Sequence, residues 1–144
     1  EVLGVYEFEN LVVDSGLNYI LKLVAKQPVS DLYVGLFSGN YTPVSGDTLD
    51  TFPASASEFT GYSESARPLW NVAIPTGLSL TNTASKAEFN VTTAGTIYGA
   101  FISTSPSKNG TVGVLYAAKK MTTARNVAVG DILLVQYDNV ISAS

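Results

Sequence analysis

The sequence predicts a mainly β fold: an antiparallel β-sandwich or jelly-roll-like domain with one short helix near the N-terminus, at about residues 15–26. Two observations predict it. Along the chain, about seven short apolar segments are separated by turn signals, as in sandwiches and barrels. Only one segment, near the N-terminus, has apolar residues at helical spacing. With 144 residues the chain is the size of one domain, so we expect a single β-sandwich domain over residues 14–144.

Residues 1–13 precede the predicted helix. Val5 and Phe8 alternate loosely with acidic and amide side chains and run into the apolar Leu11–Val13. This pattern suits either a first strand of the domain or an extended N-terminal arm.

The predicted helix has a start signal, an apolar stripe and an end signal. The side chains of Asp14 and Ser15 are of the kind that cap free N–H groups at a helix start. Pro28 limits its continuation. We expect the helix to pack on the core through the face that contains Leu17. Four apolar residues follow at spacings of three and four: Leu17, Ile20, Leu21 and Val24.

The rest of the chain has the signals of strands and turns. Residues 32–37 alternate with a period of two. Residues 38–57 form a long turn-rich segment whose aromatic residues indicate that it packs on something. Asn109–Gly110 and Gly130–Asp131 are turn signals. The further predicted strands are 69–74, 86–91, 96–103, 112–119 and 131–141.

The composition argues against most enzyme chemistry. The chain contains no His and no Cys, the residues that most often supply acid–base catalysis, nucleophilic thiolates and metal ligands. We therefore expect no catalytic residue, no metal and no cofactor. Charged residues are only 14% of the chain, against about 25% in an average domain. This deficit fits either a surface largely covered by other protein or a β surface rich in neutral polar groups.

The charge distribution gives no sign of a nucleic-acid partner. The net charge is −4, whereas nucleic-acid binding normally needs a basic patch. The basic residues are scattered, and Lys119–Lys120 is their only adjacent pair. No apolar run approaches the roughly 20 residues of a membrane span, so we expect no membrane partner.

Two acidic pairs have a functional and a structural interpretation. Glu7 and Glu9 share one face of an extended segment, as paired carboxylates of glycosidases can, but a solvated strand face explains them better. Asp47 and Asp50 lie in a loop and could contribute oxygen ligands to Ca²⁺. Turn formation by Asp is the better explanation there.

Ser105 and Lys108 match the S-x-x-K nucleophile motif. That chemistry places the Ser at a helix start. Here Pro106 and Asn109–Gly110 predict a turn between two strands, so we interpret the match as chance.

The aromatic residues carry more information. Tyr and Trp are frequent at interface hot spots, and a sugar-binding platform would use the same residue types. We expect Phe59 and Trp70 to lie in the core. For Tyr41 and Phe52, in the turn-rich segment, core and interface remain open alternatives.

The order of these features resembles small virion structural proteins of tailed bacteriophages, particularly capsid decoration (cement) proteins. The likeness covers most of the chain and consists of packing and turn signals. The segments that carry it are the helix Asp14–Ala25, Asp31–Phe37, Phe59–Tyr62 with the Trp70 segment, Ile97–Phe101 and Gly130–Leu133.

The resemblance implies a non-enzymatic homotrimer, located on the capsid surface of the virion and assembled in the host bacterial cytoplasm. Its partner would be the major capsid protein or another virion protein. The alternative is a receptor- or carbohydrate-binding module at a tail tip or fibre, and a third hypothesis is an enzyme that uses carboxylates, Ser, Lys or Tyr alone. Residues 1–11 would be an arm that reaches a neighbouring subunit. The predicted interaction residues are Val2, Val5, Tyr6, Phe8, Tyr41 and Phe52.

Overall fold

The computed structural model describes residues 2–9, 11–28, 30–75, 77 and 79–140, with the backbone alone for 2–9. The fold is mainly β with a short helix near the N-terminus, as the sequence predicts. Its strands form two sheets. In chain order the elements are β1 (Val2–Glu9), β2 (Leu11–Val12), α1 (Asp14–Val24), β3 (Tyr33–Phe37), α2 (Phe52–Ser55), β4 (Glu58–Phe59), β5 (Ser79–Thr81), β6 (Ala87–Asn90), β7 (Gly95–Ser103), β8 (Leu115–Val127) and β9 (Ile132–Val140).

The first sheet is built around β9. Strand β1 pairs with one edge of β9 in parallel, with Phe8 opposite Tyr137. Strands β5 and β6 pair with β9 antiparallel, and they follow one another along it. Residues 2–9 therefore have a strand backbone in this sheet. The side chains of the predicted interaction residues Val2, Val5, Tyr6 and Phe8 lie outside the described part of the structure.

The second sheet has the order β2-β8-β7-β3-β4, and all its pairs are antiparallel. The chain changes sheets between β1 and β2, since β2 pairs with Ala117 and Ala118 of β8. Two residues of β2 therefore cover a short part of the long edge of β8.

The second sheet has buried side chains on both faces. One face packs on the first sheet, where Phe89, Val135 and Tyr137 meet residues such as Leu36 and Ile102. Because hydrophobic side chains of both sheets are buried between them, the arrangement is a β-sandwich. The opposite face is covered by the 38–57 segment, so the aromatics of this segment do pack on the body of the protein.

The predicted strand at 69–74 is wrong: in this segment only a single bridge between Leu69 and Tyr33 is present. The segment crosses between the two sheets. The Trp70 N–H donates to the Leu32 carbonyl at 2.7 Å, and its indole Nε1 donates to the Tyr137 carbonyl at 3.0 Å. Trp70 is thus a buried link between the sheets, whereas Leu69 and Ile74 of the same segment are 45% and 91% exposed.

Several short elements lie where no strand or helix was predicted. They are α2, β4 and β5, too short for a periodic pattern to show. Strand β8 also continues to Val127, well beyond the predicted end at 119. Its second half is polar and mostly exposed, so the apolar alternation that marks a half-buried strand is missing.

Candidate interaction surface

The acidic loop pair holds its own loop together. Asp47 accepts hydrogen bonds from the Tyr41 hydroxyl at 2.7 Å and from the Val44 N–H at 2.9 Å. Asp50 accepts a hydrogen bond from Thr48. Among the described residues no group of three or more acidic side chains is placed to hold a metal ion. The side chains of Glu7 and Glu9 lie outside the described residues.

The S-x-x-K segment forms a turn with a structural role. The Lys108 ammonium donates to the carbonyls of Thr60 and Tyr62 at 3.3 and 2.7 Å, and it lies 3.9 Å from the centroid of the Tyr62 ring. The Gly110 N–H donates to Ser107, and Asn109 adopts a positive φ of 55°. The Lys108 ammonium thus binds carbonyls of the neighbouring segment 60–62. It does not form a nucleophile pair with Ser105.

Phe52 belongs to the core. Its side chain is 1% exposed, and its ring meets those of Phe37, Tyr41 and Phe101 edge to face at centroid distances of 5.2–5.8 Å. Tyr41 is half-buried on top of Phe52. Of these two predicted interaction residues, only Tyr41 therefore presents part of its side chain at the surface.

No exposed aromatic platform for sugar stacking is present among the described side chains. Tyr33, Tyr41 and Tyr98 are half-buried, and the other described aromatic side chains are buried. The predicted core positions of Phe59 and Trp70 agree with this burial.

Helix α1 presents an apolar face to solvent. Leu17, Leu21 and Val24 are 50%, 66% and 78% exposed. At positions i, i+4 and i+7 they form one continuous stripe on the helix. We call these three residues the α1 face. The predicted core stripe consists of these three residues and Ile20. Ile20 is partly buried against the core, but the predicted packing through the face that contains Leu17 is wrong.

The core side of α1 is formed by the buried residues Gly16 and Tyr19 and by Ile20, which is partly buried. A Cβ on Gly16 would stand 1.9 Å from the Tyr116 carbonyl oxygen, so the helix backbone lies directly against β8. Tyr19 packs edge to face on Tyr116, and its hydroxyl donates to the Ser30 carbonyl. A small residue followed three positions later by a large aromatic marks the true contact side. This is the signal in the sequence that could have oriented the helix.

The start of α1 also differs from the prediction. The N-cap residue is Val13, without a side-chain cap, and the helix runs over Asp14–Val24 where 15–26 was predicted. The Ser15 hydroxyl donates to the Leu115 carbonyl of β8 at 2.5 Å. Ser15 therefore anchors the helix to the sheet.

The 38–57 segment adjoins the start of the helix. The Asp14 N–H donates to the Ser45 carbonyl at 3.0 Å. Val44, next to Ser45, is another exposed apolar residue, as is Leu11 of β2. The N-terminal part of the chain and the loop that follows Tyr41 thus meet beside α1, although the sequence suggested them as separate interaction regions.

No protein-family model matches the chain, and no curated protein matches its sequence. The described helices include none with the length and hydropathy of a membrane span. The α1 face is the candidate site on its geometry alone, because the helix packs closely on β8 and its apolar stripe is exposed.

Proposed function

We propose that this chain is a non-enzymatic structural protein of a tailed-bacteriophage virion, a capsid decoration protein that binds the outer shell through the α1 face. The observation that carries the proposal is the exposure of Leu17, Leu21 and Val24 on a helix whose other side is fixed to β8. Exposed apolar residues in a contiguous patch are typical of protein–protein contact sites.

The energetics suit a lattice-binding protein. Complete burial of one aliphatic side chain is worth about 1.5–3 kcal/mol, and the three residues are already partly covered. One α1 face therefore gives a modest contact. Several copies linked to one another would bind with avidity, because the second contact becomes intramolecular. Binding to the assembled shell but not to its open forms would stabilise the shell by mass action.

The assignment to a phage shell rests on the resemblance of the chain to capsid decoration proteins, with the major capsid protein as the partner. The same resemblance supports a homotrimer. A trimer would place three α1 faces in one particle, which is the arrangement that avidity requires.

The test uses shells assembled from the major capsid protein of the phage that encodes the chain. The purified protein is mixed with these shells, and the bound copies are counted after sedimentation. We expect saturable binding and a higher melting temperature of the decorated shells. A wild-type protein that stays in the supernatant at all concentrations would refute the proposed function.

The oligomeric state is tested separately by light scattering behind a sizing column. We expect a mass near three times the 15.2 kDa of the chain. A monomer mass at all concentrations would contradict the trimer. Each copy would then bind the shell independently, without avidity.

A further inference from the structure

The outer edge of β8 is only partly covered. Strand β2 pairs with Ala117 and Ala118. From Lys119 onwards, β8 pairs with β7 on its inner side, and no strand of the described structure pairs with its outer side. An uncovered strand edge offers unpaired backbone N–H and C=O groups to another extended segment.

The strand before β2 does not pair with this edge. Leu11 stands opposite Ala118, so an extension of β2 towards the N-terminus would run along Lys119 and Lys120. The preceding strand, β1, instead pairs with β9 in the other sheet. Among the described strands, none therefore pairs with the outer side of β8 at Lys119 and Lys120.

A groove of about 290 Å³ lies at this position. Its walls come from the β2–β8 edge and from the loop that follows Tyr41. Leu11 gives it an apolar wall that is 39% exposed. The lining residues are Leu11, Thr42, Pro43, Ala118, Lys119 and Lys120. We call this the β8 groove.

The charge of the β8 groove is opposite to that of the whole chain. The chain has a net charge of −4, and Lys119–Lys120 is its only adjacent basic pair. Neither lysine has an ion-pair partner among the side chains that the structure describes. Two unpaired cations beside open backbone groups favour an anionic, extended ligand.

We propose that the β8 groove receives a short, extended, acidic segment of a partner protein, which pairs with the edge of β8 at Lys119 and Lys120. Side chains of neighbouring strand residues point to opposite faces. Two consecutive carboxylates of the segment would then reach one lysine each, and an apolar residue next to them would contact Leu11.

The length of the segment is limited by a bulge. Between the pairs Lys120–Gly99 and Arg125–Ile97, the four residues 121–124 of β8 lie opposite the single residue Tyr98 of β7. Bulges interrupt regular pairing and bend the strand. The regular edge of β8 therefore ends near Lys120, so only a short partner segment can pair with it.

A partner protein is favoured over a second copy of this chain. The alternating acids Glu7 and Glu9 lie in β1, whose backbone pairs with β9. Glu88 lies in β6, which also pairs with β9. A second copy would have to release one of these strands from β9 or bring it edge to edge with β8. An acidic segment of a separate protein has no such requirement.

The test is a peptide titration of the isotope-labelled full chain, followed by NMR of its backbone amides. The probe is the acetylated and amidated heptapeptide Val-Thr-Val-Glu-Glu-Thr-Val, and its Gln-Gln analogue is the neutral control. We expect amide shifts at Leu11, Ala118, Lys119 and Lys120. The dissociation constant should rise about tenfold for the Gln-Gln peptide, and also for the acidic peptide with Lys120→Glu. Added salt weakens the binding of the acidic probe.

The matched control is Lys86→Glu, which makes the same charge change in the loop before β6. It should leave the binding constant unchanged. Equal weakening by both variants, or shifts that avoid the β8 groove, would overturn the proposal. So would a solution mass that falls on Lys120→Glu without peptide, since a second copy would then occupy the groove. The β8 groove shares no residue with the α1 face and the assay needs no shells, so its outcome is independent of the proposed function.

Discussion

The Arg67 guanidinium and the Glu58 carboxylate form a bidentate ion pair inside the protein. Nε and Nη2 of Arg67 donate to the two carboxylate oxygens at 2.8 and 2.7 Å, and both side chains are completely buried. The remaining N–H groups donate to the Ser103 hydroxyl and to the carbonyls of Ser105 and Gly110. Every guanidinium donor thus has a partner, and the pair joins β4 to the β7–β8 connection.

Removal of one partner leaves the other charge buried and unpaired. Arg67→Ala should lower the free energy of unfolding by about 3–5 kcal/mol, measured by urea denaturation. The surface control Lys86→Ala should change it by no more than about 0.5 kcal/mol. Similar effects of the two substitutions would show that the buried pair is not formed.

Gly16 sets the distance between α1 and β8. In an isolated helix Gly→Ala gains about 1 kcal/mol. Here the added Cβ would overlap the Tyr116 carbonyl, so Gly16→Ala should cost about 1–3 kcal/mol instead. Gly46→Ala is the control, because no atom lies within 4 Å of its Cβ position. It should leave the denaturation midpoint unchanged or raise it. A stabilised Gly16→Ala variant would contradict the close helix packing.

Substitutions of Phe52 and Tyr41 should lower the unfolding free energy by different amounts, because Phe52 lies in the core and Tyr41 is partly at the surface. Phe52→Ala should cost about 3–5 kcal/mol in unfolding free energy, because it leaves a cavity among three aromatic rings. Tyr41→Phe removes the hydrogen bond to Asp47 and should cost only about 0.5–1.5 kcal/mol. Denaturation of the two variants under one set of conditions compares them. If Tyr41→Phe lowered the unfolding free energy more than Phe52→Ala, the hydrogen bond to Asp47 would stabilise this loop more than the packing of Phe52 does.

Alkaline pH should destabilise the fold through buried tyrosines. Burial raises the pKa of Tyr116 to about 12 and the pKa of Tyr137 well above its usual 10. Each folded tyrosine then holds its proton more tightly than in the unfolded chain. Their contribution is complete below pH 10 and is lost as the pH rises from 10 through the folded pKa.

The free energy of unfolding should therefore fall above pH 10 by about 1.4 kcal/mol per pH unit for each such tyrosine. Tyr116→Phe should make this slope shallower. The slope is the measured quantity, because the substitution also takes a hydrogen-bond partner from Asn139 at every pH. A slope equal to that of the wild type would show that Tyr116 ionises freely in the folded protein.

The periodic elements of the fold could be predicted from the sequence, but which of their faces meets the core could not. The stripe of α1 was visible, whereas its exposure depends on Gly16 fitting against a carbonyl of β8, a long-range contact. The Trp70 segment looked like a strand because it is apolar, yet only Trp70 is buried between the sheets, and Leu69 and Ile74 are exposed. The β8 groove could not be predicted, since Leu11 and Lys120 become neighbours only through the pairing of β2 with β8.

The central claim is that the α1 face binds the phage shell, and paired double variants test it most directly. Leu21→Gln with Val24→Gln removes apolar surface from the α1 face and keeps a good helix former at both positions. Val112→Gln with Val129→Gln makes the same kind of change at two exposed apolar residues in turns. In shell cosedimentation, the account predicts at least about tenfold weaker binding for the α1 variant and wild-type binding for the control. Equal binding by the α1 variant and the wild type would contradict it.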